Sequence, residues 1–292
     1  MNSAIDIHVN ILPPFAREFI PEDLSTESDA LRRAYFLAGA SKYHERCSPD
    51  SILQDMADAN VRSGLCFSYN WKSMDLCRMC NDYTMDMVEQ YQGRLYGLAV
   101  VQPRDTAACD ELNRCMEKKG MLGLKIKPRW CGVSLSDQRL LGPLCEVLRE
   151  KGGMLLTHVS QNFMRGTGDS LFDLVEFLKF APDIPVVAAH MGAFIEMYNR
   201  HPPVARVMEN LFIDVSLHDN LHWLPCLMRT GNPDRYIYGT DYPYLDYDLL
   251  DAKLRGLELT DAEMERLCVE NPKRLSRRVR AWRSLLEDSK QK

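Results

Sequence analysis

Short apolar segments alternate along the chain with longer amphipathic segments. The apolar segments have the composition of buried strands and lie at 3–9, 64–69, 95–101, 122–127, 154–158, 185–190, 211–215 and 236–240. Most of the amphipathic segments lie between them and have the periodicity of helices, at 51–60, 76–90, 107–118, 136–150, 170–180, 203–210, 220–228 and 245–254. Strands that alternate with helices are typical of a parallel sheet.

Eight strands of this kind predict a closed barrel. They are apolar at nearly every position, as expected where helices cover one face of a sheet and a packed interior covers the other. An open doubly wound sheet would show the same alternation, but no Gly-x-Gly-x-x-Gly follows the first strand to hold a dinucleotide. The length of 292 residues suits one barrel of roughly 250 residues with additions. We therefore predict an α/β fold, a single-domain (β/α)8 TIM barrel over residues 1–292.

Three segments exceed a minimal barrel. Residues 10–50 form an oversized first βα connection, which we interpret as a lid or insertion at the barrel mouth. Thr260 and Glu263 fit a capping box and predict an extra C-terminal helix. The charged end at 287–292 is expected to be a disordered tail.

The composition of the chain limits the classes of partner that we expect it to bind. With 36 basic and 41 acidic side chains the net charge is -5, and the chain lacks the clustered lysines and arginines that nucleic acid or an anionic membrane would need. Neither a signal peptide nor an apolar run of about 18 residues is evident, so we expect a cytoplasmic protein. The ten cysteines are expected to be reduced, and Cys77 and Cys80 to pack within a helix.

Ionisable side chains cluster at the carboxyl ends of the predicted strands, where a barrel enzyme builds its site. They are Asp6 and His8 (with Asn10) in the first strand, Lys125 and Lys127 in the fourth, His158 in the fifth, His190 in the sixth and Asp241 after the eighth. With a period of two along a strand, Asp6, His8 and Asn10 should share one face. Imidazoles and a carboxylate at one mouth suit Zn²⁺ or a similar first-row ion.

These segments resemble the metal-dependent amidohydrolase superfamily, in particular its amidohydrolase-related branch of ring-opening hydrolases and aromatic-acid decarboxylases. The motifs that carry the resemblance are Ile5-Asp-Ile-His8, Gly123-Leu-Lys-Ile-Lys-Pro128, Leu155-Leu-Thr-His158, Ala189-His-Met-Gly192, Phe212-Ile-Asp-Val-Ser216, Ile237-Tyr-Gly-Thr-Asp-Tyr-Pro243 and Glu270-Asn-Pro-Lys-Arg-Leu275. The resemblance covers most of the chain.

The resemblance implies a ligand set. His8 would be the first metal ligand, but Asn10 stands where the family has a second histidine, so we expect weaker binding or a different or second ion. His158 would be the ligand from the fifth strand. His190 would bind a second ion or polarise the substrate, and Asp241 would bind metal and handle the proton. Zinc is the ion we expect first, with manganese or iron as alternatives.

Lys125 leaves two readings open. In some two-metal relatives a lysine of the fourth strand carries CO₂ as a carbamate that bridges the ions, and Lys125-Ile-Lys-Pro128 resembles that setting. Alternatively, Lys125 and Lys127 are plain cations that bind a substrate carboxylate.

Three functions follow from this reading. The first is hydrolysis of a small cyclic amide, ester, lactone or thioester, with metal-bound hydroxide as nucleophile, Asp241 as general base and His190 as a donor to the oxyanion. The second is non-oxidative decarboxylation of an aromatic or unsaturated acid. The third, motivated by Asn10, is an inactive binding barrel.

The loops after the strands should contact the substrate. The expected contacts are Tyr69, Asn70, Lys127, Arg129, Trp130 and His218. Arg129 beside Trp130 suggests a small substrate that is aromatic or carries a carboxylate, because a guanidinium can grip a carboxylate while an indole covers an apolar face. The resemblance also suggests a homodimer.

Overall fold

The eight predicted strands form one parallel sheet in chain order, β1 to β8. The structure is a computed structural model that describes residues 4–18, 24–29, 31–33, 41–160, 168–216 and 221–288. β8 lies beside β1, because the backbone nitrogens of Ile7 and Asn10 donate to the carbonyls of Tyr238 and Tyr242, at 3.3 and 2.8 Å. The predicted (β/α)8 barrel is confirmed.

Seven of the eight strands end earlier at the barrel mouth than the sequence predicts, since several polar residues there leave the ladder, whereas the first strand extends one residue further, to Asn10. The strands are β1 Ala4–Asn10, β2 Val61–Phe67, β3 Leu95–Val100, β4 Met121–Ile126, β5 Met154–Thr157, β6 Val186–Ala188, β7 Leu211–Asp214 and β8 Tyr236–Ile237.

Helices follow the strands as predicted, and the C-terminal addition contains more than one of them. The α-helices of four or more residues in the described part of the chain are Pro14–Arg17, Ser41–Arg46, Pro49–Asp58, Met74–Gln90, Ala108–Met116, Pro128–Cys131, Gln138–Lys151, Leu171–Phe180, Pro202–Ala205, Leu224–Thr230, Tyr247–Arg255, Asp261–Glu265, Asn271–Arg278 and Arg280–Asp288. A kinked 3₁₀ segment at His190–Tyr198 and a π-helical stretch at Arg266–Glu270 join them. The capping box is present, as Thr260 accepts from the Glu263 backbone and Glu263 from that of Thr260. The last helix runs into the segment that we expected to be a tail.

The barrel interior is a packed core, not a channel. One apolar side chain or more from every strand fills it, including Ile7, Phe67, Leu98, Leu122, Leu156, Val187, Phe212 and Ile237. Leu275, Val279 and Trp282 of the C-terminal helices join the same cluster. Because the interior and this end are filled, access to the strand ends is from the opposite face.

A β-bulge in β1 changes which residues face the mouth. Asp6 pairs with Gly64 and Val9 with Cys66, so β1 has one more residue than β2 over this stretch. Ile5 and Ile7 both pack on the interior cluster, which turns Asp6 away from it. The prediction that Asp6 shares a face with His8 and Asn10 is therefore wrong for Asp6, because the bulge breaks the two-residue period.

Asp6 instead fixes the start of the loop after β8. Its carboxylate accepts from the backbone nitrogen of Thr240 at 3.1 Å and from the Thr240 hydroxyl at 2.5 Å. It also accepts from the backbone nitrogen of His8 at 2.9 Å. Asp6 thus holds the segments that carry His8 and Asp241 in one register.

Other expectations can be compared with the described residues. The ten cysteines are all free thiols, and Cys77 and Cys80 are buried in the helix Met74–Gln90, as predicted. No described helix has the length and apolar composition needed to cross a membrane. The interpretation of residues 10–50 as a lid stays a prediction, because part of that segment lies outside the described residues.

Candidate active site

A buried carboxylate, Asp214 at the end of β7, connects two of the predicted ligand histidines. Its Oδ2 lies 2.8 Å from Nδ1 of His8, and its Oδ1 accepts from the backbone nitrogen of His190 at 2.9 Å. Since a carboxylate only accepts, Nδ1 of His8 carries a proton, and Nε2 is the ring nitrogen that faces the barrel mouth and could bind a metal ion. Burial alone would raise the pKa of Asp214, but the adjacent His8 holds that pKa well below its ordinary value.

Ser216 fixes the orientation of His190 in the same way. The Ser216 hydroxyl donates to Asp214 Oδ1 at 2.5 Å, so it can accept from Nδ1 of His190 at 3.0 Å. This leaves Nε2 of His190 as the acceptor nitrogen. His190 has a φ of 56°, a left-handed conformation that non-glycine residues rarely adopt and that is concentrated at functional sites.

Asp241 lies opposite these histidines, and it too has a left-handed backbone, with a φ of 62°. Its Oδ1 lies 3.1 Å from Nε2 of His8. A lone pair and a carboxylate oxygen at this distance attract each other only when a proton or a metal cation lies between them. Burial would raise the pKa of Asp241, but His8, Lys127 and His190 hold it well below the ordinary value.

Asn10 anchors Asp241. Its Nδ2 donates to Asp241 Oδ1 and to the carbonyl of Tyr242, both at 2.8 Å. The opposite amide orientation would set an oxygen against these two acceptors, so the hydrogen bonds determine it. Oδ1 of Asn10 is buried and has no hydrogen-bond partner among the described residues. An oxygen that has lost water without gaining a partner is costly unless a ligand satisfies it.

His8, His190 and Asp241 form the candidate metal group. Each offers one ligand atom, and the three atoms lie within 4.8 Å of one another. Gly239 permits this approach, since a Cβ there would lie 3.2 Å from the Cβ of His8 and 3.3 Å from that of Asp214. Two imidazoles and a carboxylate are a donor set for a divalent first-row ion.

His158 lies next to this group but is outside it by the same distance limit. Its Nδ1 is 2.9 Å from Nε2 of His190, and its Nε2 is 3.9 Å from Oδ2 of Asp169. Asp169 Oδ1 accepts from the hydroxyl of Ser160 at 2.9 Å, whereas Oδ2 is buried without a hydrogen-bond partner among the described residues. The role of His158 as a metal ligand stays a prediction.

Lys125 in β4 and Lys127 just after it reach the mouth, and neither forms an ion pair with a carboxylate of the described residues. Nζ of Lys125 lies 3.3 Å from Nε2 of His8 and 4.5 Å from the Phe67 ring centroid. Nζ of Lys127 lies 4.1 Å from the ring centroid of Trp130 and 5.2 Å from that of Tyr69. Burial lowers the pKa of both lysines. The structure describes no carboxylate oxygen within 4.0 Å of either one.

Asn70 is engaged by the backbone of β4. Its Nδ2 donates to the carbonyl of Lys125 at 3.0 Å, and its Oδ1 accepts from the nitrogen of Lys127 at 2.8 Å. Both amide atoms are thus used to hold the end of β4. The structure therefore gives Asn70 a role in positioning the two lysines, and its contact with substrate stays a prediction.

The aromatic residues form one wall of the mouth. The rings of Tyr69 and Trp130 meet edge to face with centroids 5.2 Å apart, and the Tyr69 hydroxyl contacts that of Tyr244. Arg129, on the same short helix as Trp130, is exposed. His218 lies outside the described residues. The predicted substrate contacts of these residues stay predictions.

Sequence reasoning missed Asp214 and Asp169 as site residues. Asp214 lies in the quoted motif Phe212-Ile-Asp-Val-Ser216, and an ionisable residue inside an apolar strand was the signal that could have identified it. Asp169 follows β5 after a loop whose residues 161–167 are outside the described part, and no sequence signal distinguishes it.

Comparison with known proteins agrees with the barrel and its motifs. The family model described as Amidohydrolase matches residues 5–278. No curated protein matches the chain.

Among solved structures, the chain is similar to 5-carboxyvanillate decarboxylase from Sphingomonas paucimobilis, with a TM-score of 0.75 and 17% identity over 94% of this chain and 99% of that one. The enzyme of the same name from Novosphingobium aromaticivorans, complexed with manganese and 4-hydroxy-3-methoxy-5-nitrobenzoic acid, has a TM-score of 0.75 and 15% identity over 94% of this chain and 96% of that one. 2,6-Dihydroxybenzoate decarboxylase from Rhizobium has a TM-score of 0.70 and 14% identity over 94% of this chain and 98% of that one.

At these identities the solved structures establish the fold alone. The family match extends over nearly the whole barrel, from β1 to the helix Asn271–Arg278, and includes His8, His190 and Asp241. The chain belongs to the amidohydrolase family.

Proposed function

We propose that this protein is a metal-dependent decarboxylase of a small aromatic carboxylic acid. The observation that carries the proposal is the pair of buried lysines that lie beside the candidate metal group without a described carboxylate partner. Buried cations are costly unless an anion pairs with them. An aromatic acid would supply the anion and would pack against the rings of Tyr69 and Trp130. The solved decarboxylases with this fold act on acids of this kind by name.

The chain's donor set fits a divalent ion. His8, His190 and Asp241 would hold it, and the unpartnered Oδ1 of Asn10 is the fourth donor we assign. Two nitrogen and two oxygen donors suit manganese as well as zinc, and oxygen ligands favour the harder ion. We propose manganese, the ion bound to one of the similar decarboxylases. When bound, the ion would neutralise negative charge on the substrate and orient it.

The residues of the chain would bind the acid and move one proton. Lys125 would pair with the reacting carboxylate, next to His8. Asp241, a carboxylate at rest, would accept the proton of a ring hydroxyl and return it to the ring carbon that carries the carboxylate. The carbon–carbon bond then breaks, CO₂ leaves, and the electron pair of that bond restores the aromatic ring.

We propose an unmodified amine at Lys125. A bridging carbamate requires two ions, and the described residues contain one group of three donors. Intact-mass measurement under native conditions tests this point. A mass increase of one CO₂ that is absent from a Lys125→Met variant would support the carbamate instead.

Hydrolysis remains the second candidate, because Asp241 held as a carboxylate could also take a proton from water. Product analysis in D₂O separates the two reactions. The manganese-loaded protein is incubated with hydroxybenzoic acids, and products are followed by NMR. Decarboxylation gives CO₂ and one deuterium at the vacated ring position, whereas hydrolysis of an added lactone or cyclic amide gives a new acid and no ring deuterium.

Two variants serve as controls in this experiment. Asp241→Asn should abolish ring deuteration, and Asp173→Asn, which changes a buried aspartate at a helix N-terminus outside the metal group, should retain it. Lactone or amide hydrolysis without any CO₂ would replace the proposal with the hydrolase. The homodimer and the cytoplasmic location stay predictions.

A further inference from the structure

Lys127 has an environment that the proposed reaction does not account for. Its side chain is buried, with 6% of the residue exposed, and its Nζ lies over the faces of Trp130 and Tyr69. The proposed decarboxylation needs one cation at the reacting carboxylate, and Lys125 already lies beside His8 for that purpose. Lys127 is therefore a second buried amine at the same mouth.

The two amines serve different places. Lys125 lies in β4 and Lys127, still extended, lies one residue after its end, so their backbones are about 6.6 Å apart. Lys125 contacts His8 and Phe67, whereas Lys127 contacts the aromatic wall. An acidic group bound beside His8 would meet Lys125, and one bound against Trp130 and Tyr69 would meet Lys127.

Among the residues that the structure describes, no charged group forms an ion pair with Lys127. Asp241 attracts it, but the two side chains are not within 4.0 Å, and Asp241 Oδ1 is already occupied by His8 and Asn10. The faces of Trp130 and Tyr69 stabilise an ammonium only in part. A further anion would complete the pairing and would be covered by the same rings.

We propose that the substrate is an aromatic acid with a second acidic group, and that Lys127 binds this second group against Trp130 and Tyr69. This inference rests on the proposed function and specifies its substrate class. Lys127 is then a specificity-determining residue, and the aromatic wall holds the ring between its two acidic substituents. The position of Lys127 is fixed by Asn70, which accepts from its backbone nitrogen at 2.8 Å.

Binding of unreactive probes tests the inference without relying on turnover. Isophthalate, with two carboxylates, and benzoate, with one, are titrated calorimetrically into the manganese-loaded wild type and Lys127→Met. The methionine keeps the contacts with the rings but removes the charge. We expect wild type to bind isophthalate about 10- to 100-fold more tightly than benzoate, and the variant to lose this preference.

A kinetic arm applies the same comparison to hydroxybenzoic acids with one and two carboxylates. Lys127→Met should raise KM for the diacid about 10- to 100-fold relative to KM for the monoacid, Lys127→Arg should restore part of the difference, and the exposed Lys179→Met should behave as wild type. Equal binding of both probes by wild type, or equal loss of both in Lys127→Met, would overturn the inference. Failure of decarboxylation with the probe preference intact would instead refute the proposed reaction alone.

Discussion

Asp214→Asn should weaken metal binding without contacting the metal. Oδ1 of Asp214 accepts from three donors, the backbone nitrogens of His190 and Ser216 and the hydroxyl of Ser216. Oδ2 accepts from Nδ1 of His8 alone. An asparagine has one side-chain oxygen. Because three donors face the Oδ1 position and His8 faces the Oδ2 position, the oxygen should stay at Oδ1 and the amide NH₂ should face His8.

This exchange inverts the tautomer of His8. Nδ1 would accept from the new NH₂, and the proton would move to Nε2, the atom 3.1 Å from Asp241 Oδ1. Loss of a partner that orients a ligand histidine typically lowers metal affinity 10- to 100-fold, equivalent to about 1.4 to 2.7 kcal/mol. We expect the Kd for Mn²⁺ to rise by this factor, which electron paramagnetic resonance of free Mn²⁺ measures directly.

Asp173→Asn is the matched control. Asp173 is also a buried aspartate that accepts several hydrogen bonds, from Ser170, Ser134 and Ser136. Its substitution should lower the free energy of unfolding and leave the Kd for Mn²⁺ unchanged. An Asp214→Asn variant that is folded by circular dichroism and binds Mn²⁺ as tightly as wild type would refute the tautomer argument.

Three further variants test other parts of the structure. Asn10→Ala removes the 2.8 Å hydrogen bond to Asp241, so the Kd for Mn²⁺ should rise about 10-fold; an unchanged Kd in the same titration would deny Asn10 that role. Gly239→Ala should weaken Mn²⁺ binding as well, because the new Cβ would lie 3.2 Å from that of His8. Wild-type affinity in this variant would contradict the expectation and show that the neighbouring side chains move aside. Burial lowers the pKa of His44 to about 4 from 6.5, so its stabilising contribution is complete above pH 6.5 and is lost as the pH falls towards 4. Urea unfolding of the metal-free protein measures this contribution. Between pH 7.5 and 5 the free energy of unfolding should fall by up to about 2 kcal/mol less in His44→Phe than in wild type, and equal decreases would contradict this assignment.

The alternation of apolar and amphipathic segments predicted a parallel sheet, and the count of eight strands together with the missing Gly-x-Gly-x-x-Gly favoured the closed barrel. An open doubly wound sheet also buries both faces of its strands, so the alternation alone does not separate the two folds. Strand ends were less predictable, because polar residues such as His158 and His190 continue the sequence pattern while their backbones leave the ladder.

The candidate site was predicted in part. His8, His190 and Asp241 come together because strand order sets strand ends around one mouth. The orientation of Asp6 could not be predicted, since a single extra residue in β1 reverses it and nothing in the local composition marks the bulge. The bridging role of Asp214 depends on contacts between distant strands, which periodicity does not reveal.

The metal content of the protein tests the central claim most directly. Wild type, His8→Ala and Asp241→Asn are equilibrated with equal limiting Mn²⁺, separated from free ion and analysed for manganese per chain. The geometry of the three donors predicts one ion per wild-type chain and about a tenth or less in each folded variant. Equal manganese in all three proteins, or none in wild type, would contradict the assignment of His8, His190 and Asp241 as a metal site.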